Sequence, residues 1–163
     1  MKKGFLIVAA LVLLAGKAFS FEIGGAMGYG FGEMKGTITV NDQETIEQQF
    51  YQAFNIFVMF PHKYGEKGWG GKVDVGFIDL HVTANYAVSY TWNAGAVELS
   101  PFVGLGLVFP LGLTSFAGCS VEVPVGIGNI YCDLRFGSSF GLLYGNQGLS
   151  INAGYVFRFG KDR

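Results

Sequence analysis

The chain has 163 residues and a formal net charge of −1, so it has the length of one domain and no excess of basic residues for binding nucleic acid. Half of its residues are hydrophobic, 16% are aromatic and only 14% are charged. Such a composition is unusual for a soluble protein, yet past the N-terminal segment no apolar run reaches the roughly 20 residues of a membrane helix. The combination favours a membrane β-barrel, in which apolar residues are spread over many alternating strands.

The N-terminal segment has the three parts of a secretory signal peptide. Residues 1–3 form a basic n-region, residues 4–15 are apolar, and Ala18 and Ser20 offer small side chains before a cleavage site. The apolar run is too short to span a bilayer comfortably. We therefore expect residues 1–20 to be removed, which leaves residues 21–163 as the barrel domain in an oxidising compartment.

After this segment, bulky apolar residues alternate with small or polar ones, which is the period of a β-strand. The alternation predicts eight strands: residues 21–31, 50–60, 69–77, 80–92, 97–109, 120–127, 130–144 and 149–159. Their lengths and even number predict an all-β fold, an eight-stranded antiparallel up-and-down transmembrane β-barrel.

The connections are predicted from turn residues and, at residues 78–79, from a reversal of the alternation. They fall at residues 61–68, 78–79, 93–95, 110–118, 128–129 and 145–148. The connection at residues 33–49 is polar and acidic, with a turn at residues 41–43 between β-branched runs. We interpret it as a hairpin standing in water above the membrane, with both chain termini on the periplasmic side.

The less apolar face of the strands decides which side lines the lumen. It is mostly glycine, alanine and serine, whereas a soluble barrel such as a lipocalin needs a hydrated exterior rich in Lys and Glu. We therefore expect the apolar face to point outward and the small residues to fill a narrow interior. Aromatic residues at the strand ends predict two membrane-interface girdles. One contains Phe21, Phe60, Trp69, Tyr90, Trp92, Phe157 and Phe159, and the other contains Tyr29, Phe31, Phe50, Phe77, Phe109, Phe140 and Tyr144.

Charged residues of both signs share the inward parity. They are Glu22, Lys72, Asp74, Glu98, Glu122, Asp133, Arg135 and Arg158. Because isolated charges in a confined lumen are costly, we expect a paired network that plugs the interior, and a proton or ion path is the alternative. Several inward positions are glycines, which have no side chain and leave room for a narrow cavity toward the outer end. They are Gly24, Gly28, Gly30, Gly104 and Gly106.

The two cysteines, Cys119 and Cys132, allow two interpretations. Our preferred turn at residues 128–129 puts Cys132 opposite Val125, which leaves two buried apolar thiols. A turn near residues 125–126 instead puts the cysteines opposite each other, where a disulfide is expected in an oxidising compartment. The sequence leaves both open.

His81 lies shortly before Thr83 and Asn85 and shares their parity. This faintly resembles the His-x-Ser of the outer-membrane lipid A deacylases, with threonine in place of the nucleophilic serine. A hydrolase needs a base, a nucleophile and an orienting acid within hydrogen-bond reach, so a membrane-embedded lipid-modifying hydrolase is a remote alternative. We expect no enzyme, no cofactor and, with two histidines in the chain, no metal.

The last predicted strand carries a recognisable motif. Asn152-x-Gly154-x-x-Phe157-x-Phe159 resembles the C-terminal assembly signal of bacterial outer-membrane β-barrels, although residues 160–163 follow the last aromatic. The resemblance implies that this strand closes the barrel and is recognised by the outer-membrane barrel-assembly machinery.

In size and pattern the chain resembles the small eight-stranded barrels, such as the transmembrane domain of OmpA and the OmpW-like proteins. The resemblance implies a monomer in the bacterial outer membrane, surrounded by its lipids. Two roles compete ahead of the hydrolase: a structural or surface-interaction protein with a plugged lumen, and a conduit or binding barrel for small hydrophobic molecules. The acidic connection at residues 33–49 favours the first role, with a surface ligand bound there.

Overall fold

A computed structural model describes residues 21–40, 43–64, 68–78, 81–110, 112–141 and 144–159. The predicted signal peptide, residues 1–20, lies outside the described residues. Within these ranges no helix has the length and apolar character to cross a bilayer.

The described chain consists of nine β-strands. They are β1 (Phe21–Val40), β2 (Gln43–Lys63), β3 (Trp69–Ile78), β4 (His81–Tyr90), β5 (Trp92–Ala94), β6 (Val97–Val108), β7 (Gly112–Val125), β8 (Gly128–Gly141) and β9 (Tyr144–Phe159). Each strand is antiparallel to its neighbours.

The strands close into a barrel. β5 continues β4 beyond Thr91, and both pair with β6, so the two together form one strand of the wall. The first and last strands pair from Phe21 opposite Phe159 to Gly36 opposite Tyr144, which completes the ring. The predicted eight-stranded antiparallel barrel is confirmed. We call the end that holds residues 21 and 159 the terminal end and the opposite end the hairpin end.

Burial follows the period of two along the wall. On β2, Ala53, Asn55, Phe57 and Met59 are buried, and the residues between them are exposed and apolar. Inward glycines admit large side chains from neighbouring strands, because a Cβ on Gly104 would lie 2.4 Å from the Phe116 ring. Much of the inward space predicted to stay empty is therefore occupied by side chains.

The predicted loop at residues 110–118 is wrong from Gly112 onward, because β7 begins there. From Gly112 to Gly118 the backbone pairs with β6 on one side and β8 on the other. Within the segment, Gly118 makes room for the Phe102 ring, which a Cβ there would approach to 2.7 Å, so this glycine serves packing rather than a turn. The predicted turn at residues 145–148 is also wrong, since those residues belong to β9.

The turn between β7 and β8 differs from both predicted registers. Val125 pairs with Gly128, and Gly126 has a φ of 62°, a left-handed conformation that suits glycine. Cys119 therefore lies opposite Leu134 rather than opposite Cys132. Both thiols are free and exposed on the outer face, so the expectation of buried thiols is wrong.

The connection at residues 33–49 is a hairpin, as its β-branched runs predict, and it continues the strand pair of the wall. β1 and β2 remain paired from Gly24 opposite Met59 to Val40 opposite Gln43. On the other side, β2 has described partners on β3 only from Asn55 onward, whereas β1 is paired with β9 as far as Gly36. The β1–β2 hairpin thus extends past the wall, with most of its unpaired edge on β2.

Candidate functional site in the lumen and at the hairpin end

A buried ion-pair network, which we call the central network, crosses the lumen between Lys72, Asp74, Asp133 and Arg135. Arg135 donates to Asp133 at 2.8 Å and to Asp74 at 3.3 Å, and the Lys72 Nζ lies 3.5 Å from Asp133 Oδ2. None of the four side chains is more than 9% exposed. Two cations face two carboxylates, so the network is neutral and its charges are paired, as buried charges must be.

Tyr131 joins the network through its hydroxyl, which accepts a hydrogen bond from Lys72 and donates one to Asp133. Its side chain is almost fully buried. Tyr131 is missing from the predicted lumen residues, because those residues were chosen by their charge. Its position two residues before Asp133 gives it the same parity, which is the signal that identifies it.

Buried asparagines extend the network around the wall. Asn85 donates to Asp74 at 2.6 Å, Asn152 donates to Asp133 at 2.7 Å, and Asn55 donates to Asn152 at 3.3 Å. Because a carboxylate accepts but does not donate, the two aspartates determine which way these amides point. Hydrogen bonds from five strands thus hold one polar layer together.

Aromatic rings surround the cations of the central network. The Arg135 guanidinium lies 5.2, 5.6 and 5.0 Å from the ring centroids of Phe57, Phe102 and Phe116, and Lys72 lies 4.8 Å from that of Phe102. Such distances suit cation–π attraction, which is stronger where water is excluded. The rings also fill the space beside the ion pairs, so the layer is both polar and tightly packed.

A second ion-pair group, which we call the rim network, lies toward the terminal end. Arg158 lies 3.1 Å from Glu22, 2.7 Å from Glu98 and 3.4 Å from Glu122, and Asn129 donates to Glu122 at 2.7 Å. The Arg158 side chain is 29% exposed, and its three partners are 18%, 21% and 14% exposed. The structure thus brings the eight charges selected from the sequence into two separate groups, one dry and one partly hydrated.

Two cavities lie on opposite sides of the central network. The larger, about 380 Å³, opens between Lys72 and Tyr131 on one side and the rim network on the other. The smaller, about 90 Å³, lies toward the hairpin end beside Asn55, Asn85 and Arg135. The expected cavity at the outer end is therefore the smaller of the two.

The residues of the predicted assembly signal lie in three environments. Asn152 is buried in the lumen, as described above. Phe157 is exposed on the outer face, with its ring centroid 6.3 Å from that of Phe159. Gly154 passes so close to β1 that a Cβ there would lie 1.9 Å from the Gly25 carbonyl oxygen. Recognition by the assembly machinery stays a prediction.

The outer face is apolar at mid-height and aromatic at both ends. At the terminal end Trp69, Tyr90 and Trp92 form a row of edge-to-face contacts with ring centroids 5.1 and 5.4 Å apart. The predicted girdle residues whose side chains are described at the hairpin end are also exposed: Tyr29, Phe31, Phe50, Phe77, Phe109 and Phe140. The side chains of Phe21 and Tyr144 lie outside the described residues.

His81 is exposed at the start of β4, whereas Thr83 is fully buried. In the described part of the chain, no group of three or more His, Cys, Asp or Glu side chains is placed to hold a metal ion. Among the residues that the structure describes, the Thr83 hydroxyl has no hydrogen-bond partner.

A closed antiparallel barrel with charges inside, an apolar outer belt and aromatic ends defines a transmembrane β-barrel. No protein-family model matches the sequence, and a comparison with curated proteins found no significant match.

Two solved structures of Ail, the attachment invasion locus protein of Yersinia pestis, are similar to this chain. One is 15% identical, covers 85% of this chain and 100% of that chain, and has a TM-score of 0.45. The other, in complex with the heparin analogue sucrose octasulfate, is 14% identical, has the same coverage and has a TM-score of 0.41. Similarity at this level gives no information about function. The function proposed below is based on the geometry of this chain alone.

Proposed function

We propose that this protein is a surface-interaction barrel: a closed transmembrane wall that holds the β1–β2 hairpin outside the cell for a partner to bind. The observation that carries this proposal is the extension of the hairpin past the wall, where residues 43–50 of β2 have β1 as their one strand partner among the described residues. An exposed strand edge presents a row of backbone donors and acceptors to which another strand can add.

The partner class follows from the charge of the hairpin. Glu33, Asp42, Glu44 and Glu47 are acidic and Lys35 is the one base within residues 33–49. Charge complementarity raises association rates and suppresses wrong partners. We therefore expect an extended polypeptide segment rich in Lys or Arg that adds as a strand to β2.

The closed lumen is the second part of the proposal. Eight strands enclose an interior about wide enough for side chains, whereas water-filled porins use roughly 16 to 18 strands. The central network and the rings of Phe57, Phe102 and Phe116 lie between the two cavities. The cavities border charged and amide side chains, so a conduit for small hydrophobic molecules finds no support in them and remains the alternative.

Orientation is tested by labelling intact cells. In a variant with Cys119 and Cys132 changed to alanine, Asp42→Cys should react with an impermeant thiol reagent and Lys63→Cys should not. Lys63 is exposed at the terminal end, which is periplasmic in this proposal. The reversed pattern would overturn the outward placement of the hairpin.

Partner binding is tested by shortening the hairpin. Met34 lies opposite Gln49, so replacing residues 35–48 by Asn-Gly closes the strand pair with a two-residue turn and keeps the register. In lipid nanodiscs, the wild type should bind an immobilised peptide of alternating lysine and valine, and the shortened barrel should not. A matched peptide of glutamate and valine is the control. Equal binding of the lysine peptide by both barrels, or by neither, would contradict the proposal.

We also propose that the barrel-assembly machinery recognises Phe159 despite the four residues after it. Phe159→Ala should lower the folded, membrane-inserted population more than deletion of residues 160–163 does, as judged by heat-modifiable migration on gels. Equal tolerance of both changes would mean that the motif is accidental. We expect the assembled barrel to be a monomer surrounded by outer-membrane lipids.

A further inference from the structure

A polar cluster interrupts the apolar outer face near the terminal end. His62 at the end of β2, Tyr64 just after it and Tyr86 on β4 are all exposed. The His62 Nε2 lies 3.0 Å from the Tyr64 hydroxyl and 3.3 Å from the Tyr86 hydroxyl. The imidazole stacks on Tyr86 at 5.8 Å and meets Tyr64 edge-on at 5.1 Å. We call these three side chains the outer triad.

The triad closes over Gly71 on β3, the strand between β2 and β4. A Cβ on Gly71 would lie 2.6 Å from His62 Nε2 and 2.7 Å from each tyrosine hydroxyl. The absence of a side chain at this one outward position therefore lets three polar groups converge. Glycine here creates a notch in the wall, and the notch is filled with hydrogen-bonding atoms rather than with hydrocarbon.

The hydrogen-bond inventory of the triad leaves a donor available. The His62 Nδ1 lies 3.4 Å from the Phe60 carbonyl oxygen, so we assign the ring proton to Nδ1 and the lone pair to Nε2. One hydroxyl donates to that lone pair, and the proton of the other then has no acceptor within the triad. A ligand atom that accepts hydrogen bonds would complete the set.

The depth of the outer triad in the bilayer indicates which class of ligand it can bind. Tyr64 is hydrogen-bonded through its backbone to Trp69, which belongs to the aromatic row at the terminal end. Aromatic girdles mark the boundary between hydrocarbon and headgroups. Polar groups that face lipid at this depth are costly unless they are paired, and lipid phosphates are concentrated acceptors at this boundary.

We propose that the outer triad binds the phosphate group of a phospholipid in the leaflet at the terminal end. One tyrosine hydroxyl donates to a phosphate oxygen, and the other donates to His62 Nε2, which holds the two rings together. The site is distinct from the hairpin and does not depend on the partner proposed for it. It would attach one phospholipid at a defined place on a mostly apolar outer face.

Native mass spectrometry of the detergent-purified barrel with added phosphatidylglycerol tests the site. The wild type should retain one phospholipid. Loss of a hydrogen bond to a charged group costs about 1.5–3 kcal/mol, so the Tyr64→Phe/Tyr86→Phe variant should retain it at least about tenfold less. Gly71→Ala keeps every polar group but pushes the three rings apart, and it should cause a similar loss.

Tyr29→Phe is the matched control, because Tyr29 is also an exposed outward tyrosine whose hydroxyl donates to Gln52, at 2.7 Å, near the hairpin end. It should retain the phospholipid as the wild type does. Variants are compared only as folded barrels, judged by heat-modifiable migration on gels. Retention by the double tyrosine variant at the wild-type level would overturn the proposal. So would equal retention of diacylglycerol, which lacks the phosphate, or displacement by inorganic phosphate, which would indicate a site for free anions.

Discussion

The central and rim networks use the same chemistry in two different environments. In each, an arginine lies between carboxylates. Arg135 and its partners are at most 9% exposed and balanced in charge, whereas Arg158, at 29% exposed, faces three glutamates. The two networks therefore differ in their exposure to water more than in their residue types.

Water decides what each network contributes. A dry ion pair is costly to assemble and very costly to break, because removing one partner leaves a buried charge without compensation. A hydrated pair gains little from Coulomb attraction, because solvent and salt screen it. The central network is therefore expected to hold the wall together and close the lumen, and the rim network to tolerate change.

The largest effect is expected at Arg135. Arg135→Met leaves Asp74 and Asp133 facing Lys72 alone, and it should lower the free energy of unfolding by about 3–5 kcal/mol. Urea titration in detergent micelles measures this change. The matched control is Arg135→Met with Asp74→Asn, which restores the balance between Lys72 and Asp133 and should recover part of the loss. A control less stable than the single variant would refute the charge argument.

A smaller effect is expected at Tyr131. Tyr131→Phe keeps the ring but removes the hydroxyl between Lys72 and Asp133, so the loss should be roughly 1–3 kcal/mol in the same titration. Tyr155 is the control, because its hydroxyl donates to the Val125 carbonyl oxygen at 2.5 Å in a more exposed setting. Tyr155→Phe should cost about 1 kcal/mol or less. A larger loss of unfolding free energy for Tyr155→Phe than for Tyr131→Phe would show that burial does not determine the cost of losing the hydroxyl.

The smallest effect is expected at Arg158. Arg158→Met should lower the free energy of unfolding by only about 0–1 kcal/mol, because its ion pairs are hydrated. Since solvent-exposed charges are screened at high ionic strength, the difference from the wild type should shrink as salt is added. A loss as large as that of Arg135→Met, and insensitive to salt, would show that the two networks do not differ as described.

The sequence predicts which residues face the lumen better than it predicts their partners. The period of two identifies the eight charges of the two networks, because it depends on the strand alone. Pairing depends on the stagger between strands, which alternation does not encode. Lys72 and Asp74 share a face two residues apart, yet Lys72 pairs with Asp133 across the lumen. Tyr131 and three inward phenylalanines were not predicted to face the lumen, because aromatic residues were assigned to the outer face. These phenylalanines are Phe57, Phe102 and Phe116.

Turns were predicted less well, because glycine within a strand was interpreted as a turn signal. Gly112 to Gly118 looks like a loop by composition, but Gly118 makes room for the Phe102 ring, which lies 2.7 Å from where a Cβ on Gly118 would be. In a narrow barrel, glycine serves packing as often as turning. The turn at Gly126 shifted the β7–β8 register and with it the position of Cys132.

Planar-bilayer recording of the purified wild-type barrel tests the closed lumen most directly. The central network and its aromatic rings separate the two cavities, so no single-channel steps are expected at neutral pH in concentrated potassium chloride. Reproducible steps from the wild-type protein, absent from a preparation denatured before reconstitution, would contradict the closed lumen and favour a pore.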